Sequence, residues 1–234
     1  LFAEICEQAG LPPGVVNIVT GDGSTGSLIV NHKDINKIAF TGSTQVGKLI
    51  QKSLAGRDVG LTLELGGKAA NIVYEDAAID QAVEGVVNGI FFNQGHVCCA
   101  GSRLLLQESI HDEFVKKLEK RMQSLRVGNP LDKNTDIGAI NSKEQLDKIT
   151  GLVNEGVEDG GELFQTECEL PGNGFWFRPT LFTNVQPSYS IAREEIFGPV
   201  LTTLTFRTPE EAVEIANNTE YGLSAGVWTE KGSK

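Results

Sequence analysis

The chain is predicted to fold as an α/β protein in which parallel strands are covered by helices. Short apolar runs of strand length alternate with longer segments whose apolar residues recur at helical spacing. The run at 37–40, for example, is followed by a helical pattern over 44–55, in which Val46, Leu49 and Ile50 share one face. This alternation favours a parallel sheet with helices on both of its faces.

The first part of the chain contains a series of short predicted elements. Leu1, Ile5 and Ala9 lie at helical spacing, and Gly10 fits the C-terminal cap of that helix. The elements that follow are a strand over 15–19, a short helix over 27–30, a strand over 37–40, a helix over 44–55 and a strand over 61–65.

A second α/β unit is predicted after the double glycine at Gly66 and Gly67. Ser109 and Asp112 fit a capping box at the start of one of its helices. The acidic stretch at 155–169 is expected to be a solvated loop. The predicted strands cover 69–73, 103–107, 179–182, 200–206 and 224–228, and the predicted helices cover 79–90, 114–125, 142–156 and 209–216.

The composition narrows the classes of partner and compartment. A formal charge of −11 argues against binding to nucleic acid through its phosphates. No apolar run approaches the roughly 18 residues that a membrane span needs. Four irregularly spaced cysteines do not suit a disulfide framework, which favours reduced thiols and a cytoplasmic location. Because the chain runs from Leu1 to Lys234 without a clean start or stop, we expect a fragment of a longer protein.

Two short segments carry residues that suit acyl chemistry. The segment Thr62–Lys68 places one carboxylate, Glu64, among apolar residues and before a double glycine, where a carboxylate can act as a general base near neutrality. The segment Asn93–Ala100 places two thiols, Cys98 and Cys99, after a glycine-containing turn, where a thiol can ionise and act as a nucleophile. They are 98 − 64 = 34 positions apart, so they can cooperate only if the fold brings them together.

Each of these motifs also has an ordinary structural explanation. The turn at 40–47 is suited to hold a phosphate on backbone N–H groups and Ser43, but tight strand-to-helix turns occur in any α/β protein. Glu64 fits a surface acid as well as a base. Cys98 and Cys99 fit small core residues, which is the commonest environment of cysteine. From single motifs alone, the function therefore stays open.

Four strings occur in a fixed order along the chain. They are FTGSTQVG at 40–47, LELGGKAAN at 63–71, FFNQGHVCCAGSR at 91–103 and EEIFGPV at 194–200. Together they resemble the aldehyde dehydrogenase superfamily. The weaker matches PPGVVNIVTG, RPTLFTNV and NNTEYGLSAGVWT extend the resemblance over essentially the whole chain. The stretch Cys-Cys-Ala-Gly-Ser-Arg-Leu is also similar to the family-16 type.

The resemblance implies an aldehyde dehydrogenase-like fold. Residues 1–66 would be the C-terminal part of a Rossmann-type parallel cofactor domain that is truncated at its N-terminus. Residues 67–234 would be an α/β catalytic domain that is truncated at its C-terminus. The active-site cleft would lie between the two domains.

The resemblance also implies a reaction. The thiol at the position of Cys98 attacks an aldehyde, and the thiohemiacetal passes hydride to the nicotinamide and leaves a thioester. The acid matching Glu64 activates the water that hydrolyses the thioester. The Cys98 N–H contributes to an oxyanion hole, where such a donor typically supplies roughly 3 kcal/mol of transition-state stabilisation. Cys99 would be the neighbour of the nucleophile.

Cofactor and partners follow from the same resemblance. The cofactor would be NAD or NADP, with NAD favoured, and the substrate a small aldehyde. The full-length protein would be a homodimer or homotetramer that binds neither nucleic acid nor membrane. Gly42 and Ser43 would meet the pyrophosphate, and Gly47 would allow close helix packing. The other implied cofactor contacts are Leu65 and Gly66 along the nicotinamide ring, Glu195, Gln145 and Lys148 at its ribose, and Phe197 beside it.

Two features depart from the family pattern. His96 stands where the family usually has glutamine, and an imidazolium there would stabilise a thiolate and give acylation a pH dependence near neutrality. His96 has no second Cys/His cluster to accompany it, which argues against a zinc site. Family members are also considerably longer, so we expect no dehydrogenase turnover from the isolated chain.

Two other functions stay open at this point. One is a scaffolding family member that has lost catalysis, against which the presence of both Cys98 and Glu64 argues. The other is a thioester hydrolase that uses the same thiol and base without a cofactor. The presence of Ser43, Glu195 and Phe197 argues against that hydrolase.

Overall fold

A computed structural model describes residues 1–232, which divide into two compact units. The first unit ends at Leu65 and the second begins at Gly66. The predicted α/β architecture, with largely parallel strands, is present in both.

The first unit is a strand–helix–strand crossover that is preceded by two helices. Its two strands pair in parallel, with Phe40 opposite Leu63, so the connection between them must cross over through a helix. That helix starts at Ser43, whose Oγ accepts a hydrogen bond from the Val46 N–H at 3.3 Å. The core of this unit contains Val30, Ile38, Ile50 and Leu54. The elements are α1 (Phe2–Gln8), α2 (Gly23–Asn31), β1 (Lys37–Thr41), α3 (Thr44–Leu54) and β2 (Gly60–Glu64).

The strand predicted over 15–19 is wrong. This segment is irregular, and Val15 and Val19 are about two-thirds exposed, at 63% and 65%. A strand needs a partner for its backbone hydrogen bonds, and no part of residues 1–232 pairs with this segment. The short helix predicted over 27–30 belongs to the longer α2, which starts earlier because the Asp22 carboxylate accepts a hydrogen bond from the Ser24 N–H at 2.9 Å.

The second unit is built on a six-stranded sheet in the order β5-β6-β7-β4-β3-β8. Every neighbouring pair is parallel except β5 and β6, which are antiparallel. The strands are β3 (Ala70–Val73), β4 (Arg103–Gln107), β5 (Glu162–Gln165), β6 (Thr180–Thr183), β7 (Val200–Phe206) and β8 (Ala225–Trp228).

Helices cover both faces of this sheet. On the central strand β4, Leu104 and Leu106 belong to one core, while Leu105 between them belongs to another. All three are fully buried, and each such leucine stabilises the fold by about 2 kcal/mol. The helices are α4 (Ile79–Phe91), α5 (His111–Met122), α6 (Lys143–Glu158), α7 (Ser190–Arg193) and α8 (Pro209–Asn217). Within residues 1–232, none of the helices combines the length and apolar character of a membrane span.

Two predictions about the second unit are wrong. The capping box does not form, because the Ser109 hydroxyl donates to the Glu75 carboxylate at 3.0 Å and α5 starts at His111 without a side-chain cap. The stretch at 155–169 is not a loop throughout. The helix α6 continues to Glu158, and the edge strand β5 follows, with Phe164 packed against the main core.

Three chain segments meet at the amino-terminal ends of neighbouring strands in the large sheet. The strands β7, β4 and β3 are adjacent and parallel, so their amino-terminal ends lie side by side. The segments that lead into these ends are 66–69 before β3, 97–102 before β4 and 195–199 before β7. They carry the double glycine, the two neighbouring thiols and the Glu-Ile-Phe-Gly-Pro string.

Candidate active site

The two thiols lie in a tight turn just before β4. The turn is closed by the Ala100 N–H, which donates to the Val97 carbonyl at 3.1 Å, so Cys98 and Cys99 are its central residues. Among residues 1–232, the Cys98 N–H donates no hydrogen bond. Cys98 is half-buried and Cys99 is exposed. The Cys99 N–H likewise donates no hydrogen bond among residues 1–232, so burial is what distinguishes the two thiols.

Cys99 faces a different environment. Its carbonyl accepts a hydrogen bond from the Ser224 hydroxyl at 3.1 Å. With Asn71, Ser224 and Trp228 it lines an open pocket of about 390 Å³ at the edge strand β8. The two neighbouring thiols are thus structurally unequal.

The backbone that leads into the thiol turn is held in a left-handed conformation. Asn93 and Gln94 have φ of 50° and 48°, and Gly95 has φ of 76°. For a residue with a side chain this conformation costs about 1–2 kcal/mol. It is held by reciprocal bonds, from the His96 N–H to the Asn93 carbonyl at 2.9 Å and from the Asn93 amide to the His96 carbonyl at 3.1 Å. Backbone strain of this kind is concentrated at functional sites.

The double glycine before β3 contacts two parts of the site. A Cβ on Gly67 would overlap the Cys98 carbonyl oxygen, and a Cβ on Gly66 would overlap the Glu195 carboxylate. The Gly67 N–H donates to the Glu195 Oε1 at 2.9 Å. Only glycine allows the backbone to approach both groups this closely. One short segment therefore joins the thiol turn to the acidic loop.

The loop before β7 is held from the side of α6. The Lys148 Nζ donates to the Glu195 carbonyl at 2.8 Å. The Gln145 amide donates to the carbonyls of Ile196 and Phe197 at 2.9 and 3.1 Å. These bonds hold Phe197 at a left-handed φ of 55°. Gln145 and Lys148, expected at a ribose, thus bind the loop backbone in this structure.

His96 stacks on Phe197, with ring centroids 5.2 Å apart and ring planes 7° from parallel. Its Nε2 accepts a hydrogen bond from the Asn141 N–H at 3.3 Å, and its Nδ1 is buried without a partner among residues 1–232. Burial lowers the pKa of His96 below its ordinary value, against smaller opposing contributions from Phe197 and Asn141. This lowered pKa argues against the expected imidazolium near neutrality, because it favours the neutral ring.

Lys68 and Arg103 are functional candidates that the sequence reasoning missed. Lys68 is 1% exposed, and its Nζ has no hydrogen-bond partner within the described part of the chain. Burial, followed by the charge of Arg103, lowers the pKa of Lys68 to about 7, against the opposing charges of Glu195 and Glu194. The available signal was a single charged residue in the otherwise small and apolar string GGKAANIV.

Arg103 links the amino end of β4 to two neighbouring segments. Its guanidinium donates to the carbonyl of Lys68 at 2.8 Å. It also donates to the carbonyls of Ile215 and Ala216, at the end of α8, at 2.9 and 2.8 Å. All three bonds are accepted by backbone carbonyls. Arg103 therefore joins the segment at Lys68 to the end of α8 through hydrogen bonds to neutral groups.

The remaining predicted residues lie in the first unit. The Gly42 N–H donates to the Glu64 carbonyl at 3.0 Å, Ser43 caps α3, and a Cβ on Gly47 would overlap the side chain of Leu65. Gly47 therefore does permit close packing of α3. Glu64 ends β2 and is exposed. The apolar enclosure expected of Glu64 from its neighbours in sequence is thus wrong, because those neighbours point to the other face of the strand.

The second unit has features that fit the nicotinamide-side ribose of a cofactor. Glu195 is half-buried, and one of its oxygens is already held by a backbone N–H. The other oxygen lies over the bare backbone of Gly66. A carboxylate placed in this way suits the hydroxyls of a ribose, which donate hydrogen bonds. No cluster of three or more His, Cys, Asp and Glu side chains within residues 1–232 is arranged to hold a metal ion.

Comparison with known proteins decides the family. Residues 1–234 match the aldehyde dehydrogenase family along their whole length. The chain belongs to this family. It is 47% identical over 229 residues to the mitochondrial aldehyde dehydrogenase of Homo sapiens, which covers 97% of the chain and 44% of the human protein.

Solved structures of aldehyde dehydrogenases share the fold. The NAD-dependent enzyme from Sinorhizobium meliloti superposes with a TM-score of 0.95 at 43% identity, over 99% of this chain and 46% of that one. An aldehyde dehydrogenase from Bacillus cereus in complex with NAD⁺ gives 0.95 at 41% identity, over 99% and 47%. The chain thus spans somewhat less than half the length of these relatives.

In this aldehyde dehydrogenase chain, Gly67→Ala should move the thiol turn. The added methyl meets a backbone carbonyl, which cannot rotate away, so we expect a loss of about 1–3 kcal/mol in unfolding free energy and an altered rate of Cys98 alkylation. The matched control is Gly89→Ala in α4, where no atom lies within 4 Å. That change should raise stability by about 0.5–1 kcal/mol. Equal effects of the two changes in urea unfolding would contradict the packing argument.

The stability of the chain should depend on Lys68 above neutrality. Its pKa is about 7 when folded and near 10.5 when unfolded. Between these values the unfolded state holds one more proton, so this lysine makes stability rise with pH by about 1.4 kcal/mol per unit. Lys68→Met should remove that slope in urea unfolding at pH 7.5, 8.5 and 9.5. Lys116→Met is the exposed control and should keep the slope. Parallel curves for Lys68→Met and the parent chain would disprove the shift.

A neutral His96 should not set the ionisation of the thiol. In His96→Gln, the rate of Cys98 alkylation should keep its dependence on pH between 7 and 9.5, because the lowered pKa of His96 favours the neutral ring there. Peptide mass spectrometry with iodoacetamide distinguishes Cys98 from the other thiols. A displaced midpoint in the variant would restore the imidazolium hypothesis.

Proposed function

We propose that the protein containing this chain oxidises an aldehyde to a carboxylic acid, with NAD as the cofactor. The observation that carries the proposal is the double contact of the segment at Gly66 and Gly67. It lies against the carbonyl of Cys98 on one side and binds the carboxylate of Glu195 on the other. A nucleophile and a ribose acceptor that share one rigid segment suit a reaction between a bound substrate and a bound nucleotide.

We propose Cys98 as the nucleophile. Its thiolate adds to the aldehyde carbon, and the free Cys98 N–H donates to the oxygen that becomes negative. The bound nicotinamide would supply the hydride acceptor. Glu64 then takes a proton from the water that attacks the resulting thioester, which releases the acid and restores the thiol. The exposed position of Glu64 leaves it accessible to such a water.

The cofactor contacts form the second part of the proposal. Glu195 accepts hydrogen bonds from the nicotinamide-side ribose, with Phe197 beside the ring and Gln145 and Lys148 holding their loop. In the first unit, Gly42 and Ser43 meet the pyrophosphate at the start of α3, where backbone N–H groups favour anions. Leu65 and Gly66 follow the nicotinamide. The NAD⁺ complex of the Bacillus cereus relative supports NAD as a cofactor.

Two properties of the whole protein follow as proposals. The full-length protein forms a homodimer or homotetramer. It resides in the cytoplasm, which suits four cysteines that are all free in this structure. The first of these is checked by light scattering on the longer protein.

The deciding experiment uses a chimera, because the chain spans 46% of the Sinorhizobium meliloti enzyme. In it, the chain replaces the matching segment of that enzyme. With NAD⁺ and a series of aldehydes, we expect NADH formation at 340 nm. Cys98→Ala should abolish it, by at least about 10³-fold, since the covalent step is lost. Cys99→Ala is the matched control and should retain turnover.

The other outcomes identify the alternatives. A chimera that folds and binds NAD⁺ but oxidises no aldehyde would indicate a family member that has lost catalysis. Cleavage of thioesters without NAD⁺ would indicate a hydrolase. The isolated chain should form no NADH, and robust turnover by it would disprove the expectation that more of the protein is needed.

A further inference from the structure

Lys68 is a buried charged residue that has no role in the proposed reaction. It follows Gly67 directly, and its side chain is among the largest that are fully buried in the structure. Its Nζ finds no hydrogen-bond partner within residues 1–232. A buried ammonium without hydrogen bonds is costly, and an apolar side chain of similar length would fill the same volume at lower cost. A structural role alone therefore does not explain this lysine.

The charges around Lys68 come from three elements. Arg103 at the start of β4 disfavours its protonated form, and Lys148 on α6 does so more weakly. Glu195 and Glu194, in the loop before β7, favour the protonated form. Arg103 and Lys148 donate their described hydrogen bonds to backbone carbonyls, so neither neutralises the two carboxylates by direct pairing. Lys68 is the buried cation that Glu195 acts on.

We propose that Lys68 is a positioning residue that acts through Glu195. The protonated amine attracts the Glu195 carboxylate and weakens it as an acceptor for the cofactor ribose, and the neutral amine leaves the carboxylate free to accept those hydrogen bonds. The backbone links the two residues, because the Gly67 N–H donates to the Glu195 carboxylate and Lys68 is the next residue. This inference rests on the proposed cofactor role of Glu195.

The coupling also distinguishes the two redox states of the cofactor. The nicotinamide ring carries a positive charge when oxidised and none when reduced. A protonated Lys68 near the same end of the site repels only the oxidised form. Since the pKa of Lys68 is about 7, the preference for oxidised cofactor rises as the pH passes through neutrality. Tyr221, whose pKa is raised by burial and then by Glu195 and Glu194, keeps its proton throughout this range and adds no charge.

The coupling between the two side chains is tested first, without any cofactor, on the chain itself. With ¹³C at the Glu Cδ, the NMR signal of Glu195, assigned through Glu195→Gln, should show an inflection near pH 7. Lys68→Met should remove the inflection. Lys68→Arg should remove it too, because arginine stays charged. Thr203→Val is the matched control and should keep the inflection. Thr203 is also buried, and its hydroxyl has no partner among the described residues 1–232.

A reciprocal measurement tests the same coupling if Lys68→Met does not fold. With ¹³C at the Lys Cε, Lys68 should titrate near pH 7 in the parent chain. Its midpoint should fall in Glu195→Gln, because that change removes a negative charge that favours the ammonium. An unchanged Lys68 midpoint in Glu195→Gln, or an inflection of Glu195 that persists in Lys68→Met, overturns the proposal.

Cofactor binding is the functional measurement. Titration of the chimera with NAD⁺ and NADH at pH 6 and 8 should show the affinity for NAD⁺ rising about fivefold more than that for NADH. This difference should vanish in Lys68→Met, and its persistence there would overturn the proposal. If neither nucleotide binds at either pH while the NMR coupling stands, the proposed function fails and the link between Lys68 and Glu195 survives.

Discussion

The close contact at Gly66 and Gly67 is the constraint on which the rest of the site depends. Two residues without side chains let one strand of backbone touch the Cys98 carbonyl and bind the Glu195 carboxylate. The contact with the thiol turn is made to backbone, and the contact with the acidic loop is made to the Glu195 side chain, so one short segment holds both. Hydrogen bonds from α6 hold the same loop. The left-handed backbone before the thiol turn holds that turn in place, so both features reinforce the contacts that the two glycines make.

The position of the site on the sheet is less usual. In open α/β sheets, ligands commonly bind beyond the carboxyl ends of the strands. Here the thiol turn, the double glycine and the acidic loop all precede their strands, β4, β3 and β7. The sheet therefore brings them together by the order of its strands. A buried lysine, Lys68, lies in the segment before β3.

Much of the fold could be predicted from the sequence, because strands buried on both faces are continuous apolar runs and the helices repeat their apolar residues at helical spacing. The strand predicted over 103–107 matches β4 residue for residue. Predictions of single elements were wrong where tertiary contacts outweighed the local sequence preference. Val15 and Val19 have strand propensity but no partner strand, and the Ser109 hydroxyl bonds Glu75 instead of capping α5. The strand β5 was missed because an edge strand needs few apolar residues.

The residues of the candidate site could also be predicted only in part. Motifs identified the glycines, Cys98 and the loop at Glu195, since their spacing is informative. The burial of a single side chain depends on tertiary packing, so the lowered pKa values of His96 and Lys68 could not be predicted from the sequence. The thiol and the acid also stand at equal distances from their strands, at 103 − 98 = 5 and 200 − 195 = 5 positions. Because the two connections have the same length, an insertion or deletion in either one would shift its functional group relative to the other.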